Sequence, residues 1–474
     1  MTRSCLLLLH CLLLISASAT ATTATRSTTI TIPLSPFPTK HPSSDPYEIL
    51  NSLAISSLSR AHHLKTKTKT KTHKNNNDNS SSLLKTPLFS HSYGGYSVSL
   101  SFGTPPQTIS FVFDTGSSLV WFPCTSRYQC SGCSFPNVDP NEIPTYMPKL
   151  SSSSKLLGCK SPKCSWIFGP EVQSHCQDCD PNNHTCTQTC PPYIIQYGLG
   201  STAGLLLSET IDFPHKTVPN FLVGCSIISS RQPAGIVGFG RSPASLPAQM
   251  GLKKFSYCLL SRRFDDTPAS SNLVLDTGSG TDDTKTPGVS YTPIYKNPVG
   301  SNSAFGEYYY VGLRKITVGT KHVKVPYKYL VPGSDGNGGT IVDSGSTFTF
   351  MERPVFEVVA EEFIKQMGNY SRDTDVEKQS GLKPCFNLSG EKSVSIPELI
   401  LQFKGGAKME LPLENYFAFL SKSVICLILA TDKEAGPLLS GGPAIILGNF
   451  QQQNFYIEFD LANQRFGFAK QTCK

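Results

Sequence analysis

The sequence lacks a long apolar run of the kind that crosses a bilayer. The apolar stretch at residues 6–15 is well short of the roughly 20 residues that a membrane-spanning helix needs. With Arg3 before it and Ala17-Ser18-Ala19 after it, the stretch is typical of a secretory signal peptide at residues 1–19. Residues 466–474 form no apolar tail, so no stable membrane or glycolipid anchor is expected.

The sequence also has little net charge outside its N-terminal part. Residues 1–85 contain ten lysines and arginines and three acids, a balance of +7 out of +8 for the 474-residue chain, so the rest carries +1. Nucleic-acid-binding proteins concentrate positive charge, and no such partner is predicted for this remainder. Residues 20–85 are rich in Thr, Ser, Asn and Lys, which is typical of a pro-segment or flexible linker. Their lysines alternate with polar residues at Lys65, Lys67, Lys69, Lys71 and Lys74.

A glycine-rich loop is present without the features of a phosphate-binding loop. Residues 333–339 read GSDGNGG, but neither a Lys-Ser/Thr pair nor a helical pattern follows them. The loop is therefore predicted to be a turn that leads into the next strand.

Two short segments each place an aspartate between an apolar strand and a glycine turn. Residues 111–118 read FVFDTGSS and residues 340–347 read TIVDSGST, which makes Asp114 and Asp343 equivalent. Two carboxyl groups about 3 Å apart cannot both ionise near neutral pH, so they share a proton. Such a pair can act as base and acid on one bound water, which predicts peptide hydrolysis without a metal or cofactor.

A second repeated element follows each aspartate. Residues 234–238 (AGIVG) follow Asp114, and residues 444–448 (AIILG) follow Asp343 at a similar distance. This repetition predicts two β lobes related by internal duplication.

A third Asp-Thr-Gly triplet begins at Asp276. The sequence after it, residues 279–285 (SGTDDTK), is polar rather than apolar, and no apolar-apolar-Gly element follows before Asp343. Asp276 is therefore assigned to a surface turn and not to the catalytic pair.

Most of the remaining pattern predicts strands. Residues 96–102 alternate apolar and polar side chains, and residues 455–460 do so in part. One clear helix is predicted over residues 354–367, with Val355, Val359, Phe363 and Met367 on one face. The predicted class is all-β with few helices, with an N-terminal lobe at 86–275 and a C-terminal lobe at 276–474.

On these paired motifs the chain resembles the pepsin-like aspartic proteases, from about residue 94 to residue 474. The resemblance implies a bilobal fold with a cleft that binds an extended peptide, a monomer, and no cofactor. It also implies support of the catalytic pair by neighbouring residues: Thr115, Gly116, Ser117, Ser344, Gly345 and Ser346. Residues 197–204 resemble the flap hairpin, which implies that Tyr197 is the flap tyrosine and Trp121 its hydrogen-bond donor. An alternative for Tyr197 is a hairpin aromatic packed on its neighbour.

Cysteines are abundant, and 14 of the 16 lie beyond the predicted signal peptide, which holds Cys5 and Cys11. In a secreted chain they are expected to form disulfides. A zinc site is an alternative for Cys176, Cys179, Cys186 and Cys190. The secretory pathway is oxidising and favours disulfides over free thiolate ligands, so no metal is expected. The cysteine-rich first lobe resembles the nepenthesin-type plant branch. That resemblance implies the pairs Cys124–Cys130, Cys133–Cys225, Cys159–Cys190, Cys164–Cys186, Cys258–Cys473 and Cys385–Cys426, with Cys176 and Cys179 paired together or reshuffling the local set.

Taken together, the sequence predicts a secreted aspartic endopeptidase, made as a zymogen, with an acidic optimum. Asn79, Asn183, Asn369 and Asn387 begin glycosylation triplets. Removal of the pro-segment is expected somewhere between residues 79 and 90, and the destination is the extracellular space or cell wall, with the vacuole as an alternative. The rival hypothesis is a catalytically silent relative that binds or inhibits secreted glycan-degrading enzymes.

Overall fold

The computed structural model describes residues 29–36, 45–66, 95–133, 143–176, 188–198, 200–214, 216–232, 234–261, 270–278, 284–298, 303–391, 393–432 and 441–474. Several sequence predictions lie outside these residues. They concern the signal peptide, the region 79–90, and Lys67, Lys69, Lys71, Lys74, Asn79, Asn183, Cys179 and Cys186.

The predicted pro-segment contains a strand, β1 (Thr29–Pro36), and a helix, α1 (Pro46–Thr66). Pro46 begins the helix and Glu48 lies in its first turn, where an acidic side chain is favourable. Its apolar residues recur every three or four positions and are buried: Leu50, Leu53, Ala54, Ala61 and Leu64. The expectation of a flexible linker is therefore wrong for these two elements, because a helical apolar face lies within a composition that is polar on average.

The strands that follow up to residue 276 belong to the first half of the chain. They are β2 (Tyr96–Phe102), β3 (Gln107–Asp114), β4 (Trp121–Pro123), β5 (Gln129–Ser131), β6 (Lys155–Leu156), β7 (Tyr193–Gln196), β8 (Ser201–Phe213), β9 (Lys216–Ser230), β10 (Gly235–Gly238), β11 (Lys254–Cys258) and β12 (Ser271–Asp276).

The second half contributes a similar series. It comprises β13 (Ser290–Pro293), β14 (Tyr310–Val311), β15 (Leu313–Val318), β16 (Lys321–Val323), β17 (Thr340–Val342), β18 (Thr349–Met351), β19 (Ser371–Arg372), β20 (Cys385–Asn387), β21 (Leu399–Phe403), β22 (Lys408–Glu410), β23 (Phe417–Phe419), β24 (Val424–Leu427), β25 (Leu429–Ala430), β26 (Ile445–Leu447), β27 (Phe455–Asp460) and β28 (Arg465–Lys470).

The other α-helices of the described residues are short apart from one. They are α2 (Pro162–Phe168), α3 (Leu246–Met250), α4 (Tyr327–Leu330), α5 (Arg353–Gln366) and α6 (Thr374–Ser380). Helix α5 confirms the predicted helix to within one residue at each end, and Val355, Val359, Phe363 and Met367 are all buried. None of the described helices is long and apolar enough to cross a membrane.

A central sheet joins the two halves of the molecule. Within it the strand order runs β13-β28-β27-β11-β12-β1-β2-β3-β10-β4-β9-β8-β6. Strand β11 pairs with β27, so the first half is hydrogen-bonded directly to the end of the chain. Strand β1 lies between β12 and β2. Its residues 29–34 pair with β12, and its residues 34–36 pair with β2.

The internal duplication is visible in two matching three-strand units. In the first, β10 is parallel to β3 and antiparallel to β4. In the second, β26 is parallel to β17 and antiparallel to β18. Each unit therefore places its apolar-apolar-Gly strand beside the strand that leads to an aspartate, as the repeated motifs predicted.

Two disulfides agree with the pairing that the resemblance implied, Cys258–Cys473 and Cys385–Cys426. For the second pair the reason is direct, because the register of β20 and β24 places the two cysteines opposite each other. Four other implied pairs were wrong: Cys124–Cys130, Cys133–Cys225, Cys159–Cys190 and Cys164–Cys186. The structure instead joins Cys124–Cys225, Cys130–Cys133, Cys159–Cys176 and Cys164–Cys190.

Strand register explains these corrections. Phe122 of β4 pairs with Cys225 of β9, which brings the Cα atom of Cys124 to 5.1 Å from that of Cys225. In the cysteine-rich insert, Gly158 pairs with Thr189, so Cys190 lies opposite Leu157 rather than opposite Cys159. The pairs Cys124–Cys225, Cys159–Cys176 and Cys164–Cys190 join segments 101, 17 and 26 positions apart, and cysteine spacing does not encode such contacts.

Candidate active site

The two aspartates occupy equivalent places at the ends of the duplicated units. Asp114 is the last residue of β3 and Asp343 directly follows β17. The carbonyl of Asp114 accepts a hydrogen bond from Phe239 N at 2.7 Å, and Asp343 N donates to the carbonyl of Leu447 at 3.0 Å. Both residues are buried, with exposed fractions of 2% and 0%.

The two aspartate turns are locked together by hydroxyl groups. Thr115 Oγ1 donates to the carbonyl of Val342 at 3.2 Å and accepts from Ser344 N at 2.9 Å. Ser344 Oγ makes the mirror-image pair, donating to the carbonyl of Phe113 at 3.0 Å and accepting from Thr115 N at 3.0 Å. The serine at position 344 thus makes both hydrogen bonds that its position in the turn requires.

Each carboxylate is also held by its own turn. Ser117 Oγ donates to Asp114 Oδ2 and Ser346 Oγ donates to Asp343 Oδ2, both at 2.6 Å. The backbone N–H of the intervening glycine donates to the other carboxylate oxygen in each turn. A Cβ atom on Gly116 would collide with Asp343 Oδ1, so only glycine allows the opposite carboxylate to approach.

Arg60 of helix α1 contacts both aspartates. Its Nη2 atom lies 2.7 Å from Asp114 Oδ1 and 3.2 Å from Asp343 Oδ1, and its Nε atom lies 3.0 Å from Asp343 Oδ2. A planar guanidinium suits this arrangement because its donors match two carboxylates at once. The helix therefore covers the two aspartates in this structure.

The two carboxyl groups differ in their electrostatics. Burial raises the pKa of Asp114, and the charge of Asp343 adds to that effect against the opposing charge of Arg60. Burial acts on Asp343 in the same direction, but the charge and hydrogen bond of Arg60, with the Ser346 hydrogen bond, outweigh it and lower the pKa of Asp343. This separation of the two pKa values belongs to the form in which Arg60 is docked, because Arg60 lowers the pKa of Asp343.

The flap residues lie beside this pair. Strands β7 and β8 form a hairpin whose turn is closed by a hydrogen bond of 2.6 Å from Tyr197 N to the carbonyl of Gly200. Trp121 Nε1 donates to the Tyr197 hydroxyl at 2.8 Å, the contact that the resemblance implied. The turn presses on helix α1, since a Cβ atom on Gly198 would lie 2.6 Å from Arg60 N.

The other candidate residues lie elsewhere. Asp276 is the partly buried last residue of β12, paired across the sheet with Thr29 and Lys254. Asn369 is exposed, whereas Asn387 is partly buried in β20 and accepts a hydrogen bond from Ser389 N. Within the described ranges no three histidine, cysteine or acidic side chains converge as metal ligands.

Curated relatives match most of the chain. A probable aspartyl protease of Arabidopsis thaliana is 33% identical over 82% of this chain and 84% of its own length. Aspartic proteinases nepenthesin-2 and nepenthesin-1 of Nepenthes gracilis are each 32% identical, covering 83% and 80% of this chain and 81% and 78% of their own lengths. The chain belongs to the pepsin-like aspartic proteases, in the nepenthesin-type plant branch.

Family models and solved structures agree with this membership. Models described as xylanase inhibitor N-terminal and C-terminal match residues 96–279 and 308–470. The crystal structure of edgp covers 94% of this chain and 95% of its own, with a TM-score of 0.61 at 20% identity. The crystal structure of conglutin gamma, a basic 7S globulin from lupine seeds, gives 0.59 at 16% identity, covering 94% of this chain and 95% of its own. These structures share the all-β bilobal fold of the pepsin-like proteases.

The residue of this protease-family site that sequence reasoning missed is Arg60. The available signal was the spacing of Leu53, Ser57, Ala61 and Leu64, which marks one helix face within residues 20–85. Arg60 is a basic residue beside that face. Nothing in the local sequence specifies that the face packs over the aspartates, because that depends on the folded lobe.

Proposed function

We propose that the chain is the precursor of an aspartic endopeptidase that cleaves extended peptides at acidic pH. The observation that carries the proposal is the complete catalytic set. Asp114 and Asp343 are joined through their turns by Thr115 and Ser344, and the Tyr197 flap lies beside them. A lineage that had abandoned catalysis would have no need for this full arrangement.

The proposed reaction uses a water held between the two carboxyl groups once Arg60 has left. The ionised carboxylate takes a proton from the water as the water oxygen attacks the scissile carbonyl, and the protonated carboxyl donates to the carbonyl oxygen. The proton then passes to the leaving amine as the carbon–nitrogen bond breaks. Closure of the flap over an extended peptide excludes bulk water from this step.

We further propose that residues 20–85 act as a pro-segment in a secreted zymogen. Arg60 forms salt bridges with both Asp114 and Asp343, which supports a role of this segment in keeping water and substrate away from the pair. Protonation of the aspartates at low pH removes these ion pairs, which releases helix α1 and permits cleavage of the linker beyond it. Secretion to the cell wall or extracellular space is consistent with the disulfides and is part of the proposal.

The test is proteolysis by the full-length chain after acidification. The wild-type protein is expected to digest a denatured protein substrate at acidic pH and to be inhibited by pepstatin. Asp114→Asn and Asp343→Asn should each reduce the rate about 10³-fold or more. Asp276→Asn is the matched control because it changes the third Asp-Thr-Gly triplet, and it should retain full activity. Equal activity in Asp114→Asn and the wild type would contradict the proposal.

The second candidate, a silent binder of glycan-degrading enzymes, is favoured by the match to the two xylanase inhibitor family models. It predicts binding to a secreted xylanase that survives Asp114→Asn. Proteolysis that is lost in that variant, with no xylanase binding in either form, would favour the endopeptidase.

A further inference from the structure

Helix α1 places a second basic side chain, Lys65, in a closed pocket away from the aspartates. The side chain is completely buried, and its Nζ atom lies 2.5 Å from Glu352 Oε1 and 2.9 Å from the carbonyl oxygen of Pro443. The same Nζ lies 5.7 Å from the centre of the Phe350 ring. A carboxylate, a carbonyl and an aromatic face therefore surround one ammonium group.

This pocket has the chemistry of a built cation site. Burying an ammonium is costly unless it is paired and hydrogen-bonded. Burial lowers the pKa of Lys65, while the charge and hydrogen bond of Glu352 and the charge of Asp432 oppose that effect. Asp432 is itself paired with Arg353 at 3.1 Å, so Glu352 supplies the negative charge that Lys65 balances.

The walls of the pocket belong to the C-terminal lobe and not to the pro-segment. Phe350 lies in β18, Glu352 directly precedes α5, and Pro443 precedes β26. Strand β26 pairs with both β18 and β17, the strand that leads to Asp343. The pocket is thus built from residues outside α1, on the sheet whose strand β17 leads to Asp343.

The distance along α1 relates the pocket to the scissile bond. Arg60 contacts the aspartates and Lys65 lies five residues further on, which is about 7.5 Å along a helix at about 1.5 Å per residue. An extended peptide rises about 3.3 Å per residue, so the same span corresponds to two or three substrate residues.

We infer that, in the activated enzyme, the pocket formed by Glu352, Pro443 and Phe350 binds a lysine side chain two or three residues from the scissile bond. Lys65 occupies the pocket in the precursor as a stand-in for that side chain. The inference rests on the proposed endopeptidase function and adds a preference for basic peptides.

The experiment uses the full-length chain activated by acidification and then assayed at about pH 5.5, where carboxyl groups of ordinary pKa are ionised. The substrates are quenched fluorescent peptides that share one parent sequence. Each peptide has a single substitution to lysine, arginine, norleucine or glutamate, and the substituted position is one of the three on either side of the scissile bond. Lysine at one position two or three residues away should raise kcat/KM about tenfold over norleucine, mainly through KM, since a charged hydrogen bond is gained. In Glu352→Gln this lysine-to-norleucine ratio should fall to about 1–2.

Glu357→Gln is the matched control, because Glu357 is an exposed carboxylate on α5 five residues from Glu352. It should leave the ratio unchanged. Glu352→Lys should reverse the preference toward glutamate. A wild-type enzyme with no preference for lysine at any position, or a preference that survives in Glu352→Gln, overturns the inference.

Failure of the proposed function gives a different result, in which no peptide of the set is cleaved. The pocket is then tested by fluorescence anisotropy of the labelled lysine and norleucine peptides with the acidified chain. Tighter binding of the lysine peptide that Glu352→Gln abolishes supports the pocket, and equal binding of the two peptides refutes it.

Discussion

Arg60 and Asp343 are joined by two hydrogen bonds, from Nε to Oδ2 at 3.0 Å and from Nη2 to Oδ1 at 3.2 Å. The residues are 283 positions apart in the chain, and a side chain of the N-terminal segment thus lies between the two aspartates. Burial acts to lower the pKa of Arg60, but the charges of Asp114 and Asp343, together with the hydrogen bond to Asp343, have a larger effect in the opposite direction. The net pKa is raised, and this guanidinium stays charged.

Replacing Arg60 should weaken the docking of α1. In Arg60→Met the two buried aspartates lose their counter-charge, which is expected to cost about 3–5 kcal/mol. Hydrogen exchange at neutral pH should show protection of residues 46–66 falling by several orders of magnitude. His62→Ala is the control, because His62 is exposed on the same helix. Unchanged protection in Arg60→Met would mean that apolar packing alone holds the helix.

Docking of α1 should also weaken as the pH falls. The charge and hydrogen bond of Arg60 hold the pKa of Asp343 below its ordinary value while the helix is docked. The stabilisation from this ion pair is therefore complete above the ordinary pKa of the carboxyl group, and it is lost as the pH falls through the docked value. Exchange rates of residues 46–66, followed from pH 7 downward, should rise in this acidic range. In Arg60→Met the rise should be much smaller.

The hydroxyl lock between the two turns should contribute to global stability. Thr115→Val removes one donor and leaves Ser344 N without its acceptor, which should cost about 1–3 kcal/mol. The measurement is urea unfolding of the full-length chain at neutral pH. Thr115→Ser keeps the hydroxyl and loses only a methyl group, so it should cost distinctly less. If both variants lose the same free energy of unfolding, the effect is due to side-chain packing and not to the hydroxyl hydrogen bonds.

Disulfide mapping should recover the pairs formed by strand register. Digestion without reduction is expected to release a peptide that links Cys124 to Cys225, which lie 101 positions apart in the sequence. Replacing Cys258 and Cys473 together with serine should lower stability by about 2–5 kcal/mol, since that bond closes a long loop. A peptide linking Cys124 to Cys130 would contradict the structure.

The approach of the two aspartate turns could be predicted from the sequence because its determinants are local and occur twice. The strand, the aspartate, the glycine and the hydroxyls lie within eight residues, and the duplication made Asp114 and Asp343 equivalent while Asp276 lacked the partner strand. The contributions of Arg60, Lys65 and Glu352 could not be predicted, because each depends on where α1 packs. The wrong pairings of Cys124 and Cys190 have a similar cause, since the partners of these two cysteines depend on the register of β4 with β9 and on the Gly158–Thr189 bridge.

Strand β1 carries a consequence for any cut made between Thr66 and Gly95. The N-terminal fragment would remain bound, because the backbone of β1 is hydrogen-bonded to β12 on one side and to β2 on the other. Cleavage alone would therefore yield a tight non-covalent complex of the two fragments. Dissociation of the N-terminal fragment would expose the unpaired edges of β12 and β2 in the central sheet. Dissociation of β1 from the sheet should therefore be slower than the cleavage itself. The N-terminal fragment should co-purify with the cleaved protein at neutral pH.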